Sequence, residues 1–299
     1  MSKNPLFTGA CTAVITPFAD GEINYPALGR NIDRQYEAGS SAIVICGTTG
    51  ENATLTENEY LELIRYTVSK TAHRMTVIAG IGGNNTVNAL KNALTAGSLG
   101  ADGVLMVTPY YNKTTQSGLV EHFTYVADRS AVPVILYNVP SRTGMSIMPE
   151  TYKTLSEHPN INGVKEACGD ISLIGKTMGL CGEDLNIWSG NDDNTLPMMA
   201  MGAKGVISVA GNIVPEAVAK LCSLCLNGDF PAATALNMKY LPLFSALFCE
   251  TNPIPVKAAM ALTGLDSGEL RLPLVNISKK NLAYLREILV NSGITLTDE

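Results

Sequence analysis

Ile161-Asn-Gly-Val-Lys-Glu-Ala167 is a short apolar run with a lysine near its end, bounded by Pro159-Asn160 and by Cys168-Gly169-Asp170. Its length, its flanking turn residues and its apolar content mark a buried strand, with Lys165 close to the C-terminal end. Burying an ammonium without a partner is costly. Such a lysine either snorkels its head to water or gives up its proton, because burial disfavours the charged form. A neutral amine at the mouth of a pocket attacks carbonyl carbon and forms a Schiff base. Both readings of Lys165 stand at this point. Strand alternation turns Glu166 away from the face that carries Lys165.

Seven further runs have the same character. Before it come Thr12-Ala-Val-Ile-Thr-Pro17, Ser41-Ala-Ile-Val-Ile-Cys-Gly47, Thr76-Val-Ile-Ala-Gly-Ile-Gly82, Gly103-Val-Leu-Met-Val-Thr-Pro109 and Pro133-Val-Ile-Leu-Tyr-Asn-Val-Pro140. After it come Leu185-Asn-Ile-Trp-Ser-Gly190 and Gly205-Val-Ile-Ser-Val-Ala210. Near-continuous apolar runs are what parallel strands buried on both faces require. Their starts lie roughly 20 to 35 residues apart, which leaves room for a crossover helix between each pair. The segment from Glu57 to Lys70 carries Leu61, Ile64 and Val68 at helical spacing, with Thr56 and Glu59 as a capping box. Thr86 to Leu99, Gln116 to Arg129 and Pro149 to Glu157 read the same way, and Pro215 opens another helix at a favoured first-turn position. Eight βα units predict an α/β fold, a (β/α)8 TIM barrel, over residues 1–228. The competing architecture is an open doubly wound sheet, but no Gly-x-Gly-x-x-Gly follows the first run. Residues 229–299 hold helical patterns at Pro231 to Phe248, Ile254 to Leu262 and Val275 to Val290, with no linker before them. They predict a C-terminal helical extension packed on the barrel.

The bulk composition narrows the function. The chain has 299 residues, 46% hydrophobic and 16% charged, with a formal net charge of −6. That supports a large core and argues against a nucleic-acid partner, since basic runs interleaved with aromatics are missing. The N-terminus lacks the apolar segment of a signal peptide, and no stretch approaches the ~18 apolar residues of a membrane span. Seven scattered cysteines then point to reduced thiols and a cytoplasmic protein. Cys222 and Cys225 have CxxC spacing but read as buried thiols on a helix face, and Cys46 and Cys168 as small packing residues. His73, His122 and His158 lie far apart, so no metal site is expected.

In a barrel of this kind the active site gathers at the C-terminal strand ends. Lys165 and Tyr137 sit at matching depths on neighbouring strands, which lie about 4.8 Å apart. The phenol reads either as a proton shuttle for Schiff-base chemistry or as a core aromatic. Gly47-Thr48-Thr49-Gly50 presents two hydroxyls and backbone N–H groups, either as a carboxylate-holding turn or as a plain strand-to-helix turn. Arg142, in the Pro140-Ser-Arg-Thr-Gly144 loop, is placed to clamp a second carboxylate or simply to face solvent. Asn191-Asp192-Asp193 reads as the cap of the next helix rather than a cation site. Gly205 and Gly211 bracket the eighth run, where barrels bind phosphate, but only Lys204 offers a positive charge nearby.

Five motifs occur in order: Gly47-Thr-Thr-Gly-Glu51, Thr108-Pro-Tyr-Tyr-Asn112, Leu136-Tyr-Asn-Val-Pro-Ser-Arg-Thr-Gly144, Gly163-Val-Lys-Glu-Ala167 and Asn252-Pro-Ile-Pro-Val-Lys257. Together they resemble the dihydrodipicolinate synthase / N-acetylneuraminate lyase superfamily of class I aldolase-like barrels, from Phe7 to the C-terminal helices. The resemblance implies a lyase of the lysine (diaminopimelate) pathway that condenses pyruvate with L-aspartate 4-semialdehyde to give 4-hydroxy-tetrahydrodipicolinate. It implies a Schiff base on Lys165 with no external cofactor. It implies a proton relay of Tyr137, Thr48 and Tyr111, with Tyr111 contributed across a subunit interface of a homotetramer built from tight dimers. Thr49 would hold the pyruvate carboxylate, Arg142 the semialdehyde carboxylate, and Gly190 and Ile207 would help line the pocket.

The nearest alternative within the superfamily is a sialic acid lyase or a 2-keto-3-deoxy sugar acid aldolase, from which the Arg142 loop separates this chain. A non-catalytic metabolite-binding barrel is the alternative from another class, and Lys165 with Tyr137 argue against it. Lysine-inhibited relatives hold lysine at the dimer interface, and the corresponding positions here are Asn52, Ala53, Glu57, Asn84, Asn88 and Tyr110. A histidine and a glutamate of those relatives fall at Glu57 and Asn88. Loss of a carboxylate partner for the ligand ammonium weakens binding, so weak or absent lysine feedback is expected.

Overall fold

The computed structural model describes residues 2–297. Eight parallel strands close into a barrel: β1 (Gly9–Ala13), β2 (Ala42–Ile45), β3 (Thr76–Gly80), β4 (Gly103–Val107), β5 (Val134–Asn138), β6 (Ile161–Glu166), β7 (Asn186–Ser189) and β8 (Gly205–Ser208). Each pairs with the next in sequence, and β8 returns to β1. The helices between and after them are α1 (Tyr25–Glu37), α2 (Glu57–Thr71), α3 (Thr86–Ser98), α4 (Gln116–Ala127), α5 (Pro149–Ser156), α6 (Ile171–Cys181), α7 (Thr195–Ala200) and α8 (Pro215–Leu226). This is the (β/α)8 barrel that the spacing of the apolar runs predicts.

One departure among the strands has a physical cause. The first strand is Gly9–Ala13 rather than the apolar run from Thr12 to Pro17. Residues 14–16 stay buried, but Ile15 and Thr16 turn polar groups away from the ladder. The Ile15 N–H donates to Asn212 Oδ1 and the Thr16 hydroxyl to the Gly50 carbonyl. Apolar content reports burial, and burial does not distinguish a ladder from a buried loop. A hairpin of two-residue strands, Phe18–Ala19 and Glu22–Ile23, also intervenes before α1.

The helix starts follow local chemistry. Thr56 and Glu59 form the expected reciprocal capping box at α2. Pro215 sits in the first turn of α8. Three further helices, α9 (Phe230–Ala246), α10 (Ile254–Leu262) and α11 (Lys279–Asn291), follow the barrel. Helix α11 begins four residues later than the apolar pattern, because Ser278 caps it and is itself held by Glu250.

The core has two parts. Inside the barrel, Phe7, Cys11, Val44, Ile78, Leu105, Ile135, Trp188 and Ile207 pack together. Between strands and helices a larger cluster runs continuously into the extension through Ala233, Leu243, Phe244, Val256 and Met260. Among the described residues no helix is long and apolar enough to cross a membrane.

Candidate active site

Strands β5 and β6 place Tyr137 directly opposite Lys165, and β7 places Trp188 on the other side of Lys165. Lys165 is 5% exposed and Tyr137 8%. The lysine Nζ lies 4.5 Å from the centroid of the tyrosine ring, so the amine meets the ring face. The matching depth read from the sequence is present, and the aromatic ring makes the contact.

A cavity of about 440 Å³ opens over Lys165, with Thr49, Tyr137, Arg142 and Gly190 in its wall. A second cavity of about 400 Å³ shares Tyr137, Arg142 and Asn252 with it and adds Thr48, Asn52, Ala53 and Tyr110. The two threonines of the Gly47–Glu51 turn therefore serve different spaces. Thr49 is buried, and its hydroxyl oxygen accepts a hydrogen bond from Asn252 Nδ2 at 3.0 Å. With the oxygen so engaged, the one hydroxyl proton of Thr49 is free for an acceptor in the cavity. Thr48 is exposed. Among the described residues no hydrogen bond joins the hydroxyls of Thr48, Tyr111 and Tyr137. Tyr111 is 91% exposed, in left-handed backbone at φ 68, and lines neither cavity.

Arg142 stands on a single helical turn, Pro140–Thr143, that ends at Gly144 in the left-handed region. The turn is tied down by the buried Thr108 hydroxyl, which donates to Thr143 Oγ1 at 3.0 Å. One guanidinium nitrogen donates to the Asn252 carbonyl at 3.0 Å. A guanidinium has five N–H donors, so several remain for an anion in the cavities it borders.

Two buried carboxylates brace the strand ends from outside. Glu166, on the far face from Lys165 as alternation requires, accepts from Asn138 Nδ2, from the Tyr152 hydroxyl at 2.6 Å and from the Cys168 N–H at 2.8 Å. Burial pushes its pKa up, and those hydrogen bonds pull against the rise. Asp192 caps no helix through its side chain. It accepts instead from the Ser208 hydroxyl and from the Val209 and Ala210 N–H groups, each of the latter at 3.0 Å, lashing the end of β7 to the end of β8. Burial raises its pKa, while those bonds and the charge of Lys165 lower it.

Ile207 belongs to the packed barrel interior, and Val209, two residues on, reaches the cavity wall. Asn52, Ala53 and Tyr110 gather on the second cavity. Glu57, Asn84 and Asn88 do not line it. Glu57 pairs at the surface with Lys91 at 2.7 Å, and Asn84 Nδ2 donates to the Tyr110 carbonyl at 3.2 Å. The C-terminal extension supplies cavity-lining residues that the sequence does not indicate. Thr251 and Asn252 border both cavities, and Phe248 and Glu250 border the one over Lys165. The Asn252–Lys257 motif was the available signal, but nothing in its local pattern says which strand ends it meets.

The model of the dihydrodipicolinate synthetase family matches residues 6–292. A 4-hydroxy-tetrahydrodipicolinate synthase of Thermoanaerobacter sp. (strain X514) is 48% identical over 97% of this chain and 98% of its own. The crystal structure of dihydrodipicolinate synthase from Aquifex aeolicus superposes with a TM-score of 0.95 at 46% identity, covering 97% of this chain and 100% of that one. The chloride-inhibited dihydrodipicolinate synthase of Acinetobacter baumannii, complexed with pyruvate, superposes with a TM-score of 0.95 at 38% identity, covering 97% and 100%. A match of this extent, on a barrel whose strand ends carry the lysine, the tyrosine and the arginine, places the chain in the dihydrodipicolinate synthetase family.

Proposed function

We propose that the chain condenses pyruvate with L-aspartate 4-semialdehyde through a Schiff base on Lys165, the 4-hydroxy-tetrahydrodipicolinate synthase reaction of lysine biosynthesis. The observation that carries the residue assignments is one cavity whose wall joins Lys165 to Tyr137, Thr49 and Arg142. The pyruvate complex of the Acinetobacter relative supports pyruvate as the keto acid.

In this reading the Lys165 amine adds to the pyruvate C2, and the carbinolamine loses water to give the Schiff base. Loss of a C3 proton makes an enamine, whose carbon attacks the semialdehyde carbonyl. The amine of the acceptor then adds to the imine carbon, closes the ring and expels Lys165. Tyr137, with Thr48 and a partner chain's copy of Tyr111, carries the protons. Thr49 donates its free hydroxyl proton to the pyruvate carboxylate, and Gly190 lines the pocket wall. Arg142 binds the acceptor's carboxylate with the donors it does not give to Asn252. No external cofactor takes part. The barrel supplies the chemistry, and the C-terminal extension completes the cavity wall through Phe248, Glu250, Thr251 and Asn252. The working form is a cytoplasmic homotetramer, which gives the exposed Tyr111 a site to complete.

Borohydride reduction of a pyruvate-treated sample, followed by intact mass, tests the covalent step. An adduct is expected on the natural chain and none on Lys165→Ala; an adduct that survives the substitution overturns the mechanism. In the same preparation Arg142→Ala is expected to keep the pyruvate adduct and lose use of the semialdehyde.

A further inference from the structure

Lys257 and Glu51 form an ion pair at 2.7 Å with both side chains fully inaccessible to solvent. Lys257 stands in the first turns of α10, in the extension; Glu51 ends the turn after β2 that carries Thr48 and Thr49. The ammonium also donates to the Thr16 carbonyl at 2.9 Å and lies 4.3 Å from the Phe18 ring centroid. The other carboxylate oxygen of Glu51 accepts from the Arg271 N–H at 3.1 Å. Five residues before Lys257, Asn252 makes its hydrogen bond to Thr49. The extension thus grips the Gly47–Glu51 turn at two points, by a charge pair at its end and by an amide at its middle. Thr16 holds it at a third, through the Gly50 carbonyl at 2.7 Å.

A buried ion pair is a poor way to gain stability, because apolar side chains of similar volume usually do as well or better. What a charge pair adds is direction: Glu51 is held at a fixed bearing from α10, in a left-handed backbone conformation at φ 55. A turn that must aim one hydroxyl proton at a carboxylate needs that definition, since small misplacements of a binding group are costly in catalysis.

We propose that Lys257 is a positioning residue for the condensation: through Glu51 it sets the turn so that Thr49 meets the pyruvate carboxylate. This rests on the reading of Thr49 given above. Steady-state kinetics and thermal denaturation of Lys257→Met and of the double variant Glu51→Gln/Lys257→Met test it. The single variant leaves Glu51 as an unpaired buried charge, so a loss of Tm is expected along with a rise of about tenfold in the pyruvate KM and a smaller change in kcat. The double variant removes the stranded charge and is expected to recover Tm but not the pyruvate KM. Should the single variant fail to fold, the double variant carries the test. A pyruvate KM that returns to the natural value together with Tm would mean that the pair only stabilises the fold, and would overturn the proposal. Thr49→Val is the control. If it leaves the pyruvate KM unchanged, the carboxylate assignment falls and takes this inference with it. If it raises KM while the double variant does not, the inference falls alone.

Discussion

The Lys165 side chain starts on a strand buried on both faces and ends at a cavity wall, with the Tyr137 ring against its amine. Its place on a strand end was legible in seven residues of sequence, and so was its pairing with Tyr137, because strand order and depth follow from the spacing of the apolar runs. The partner of Thr49 was not legible. Asn252 lies 203 residues away and reaches it through a fold that no local pattern encodes. A second buried residue sets a pH limit. His122 accepts or donates through Nδ1 to the Thr86 hydroxyl at 2.8 Å, while its buried Nε2 has no hydrogen-bond partner. Burial lowers its pKa to about 4, against an ordinary 6.5. Between those values the unfolded chain binds the extra proton and the folded chain does not. Stability from this residue is therefore complete above pH ~6.5 and falls as the pH approaches 4, by about 3 kcal/mol at most. Urea titrations across that range are expected to show the slope in the natural chain and a flatter profile in His122→Leu.

Element by element, strand β6 illustrates how closely the barrel is packed around the lysine. Gly163 lies two residues before Lys165 and opposite Ile135 on β5 and Asn186 on β7. A Cβ there would stand 2.1 Å from the Asn186 carbonyl oxygen and 2.7 Å from the Trp188 ring. Neither neighbour can step aside, since one is ladder backbone and the other is fully buried and stacked on Phe7 at 4.8 Å. Gly163→Ala is expected to cost about 2–3 kcal/mol or more, read as a lower urea midpoint at an unchanged slope. Elements with strong local signals, such as α2 with its capping box, were legible to within a residue or so. Those whose ends depend on distant partners were not: β1 begins at Gly9, and α11 waits for Ser278 and Glu250.

For the whole molecule, the apolar and aromatic residues left at the surface matter most. Tyr111 is 91% exposed, Tyr110 41% and Val87 67%. In the proposed tetramer Tyr111 enters the partner's relay. Sedimentation is expected to give four chains, and Tyr111→Phe to lower kcat about tenfold or more while the chain remains tetrameric. A monomer as active as the natural assembly would sink the shared relay. Lysine added at millimolar concentration is expected to leave the rate almost unchanged, because Glu57 is spent on Lys91 and Asn88 supplies no carboxylate.

By itself the sequence determined the barrel, its strand order, the lysine–tyrosine pair and the strand ends that surround them, because hydrophobic periodicity and turn chemistry are local and repeat eight times. Only the tertiary structure decided that Thr48 and Thr49 face separate cavities, that Asp192 ties two strands instead of capping a helix, and that the C-terminal extension reaches back through Asn252 and Lys257 to hold the turn beside Lys165. Those contacts join residues far apart in the chain, and the partner of a buried polar group is set by which elements packing brings together.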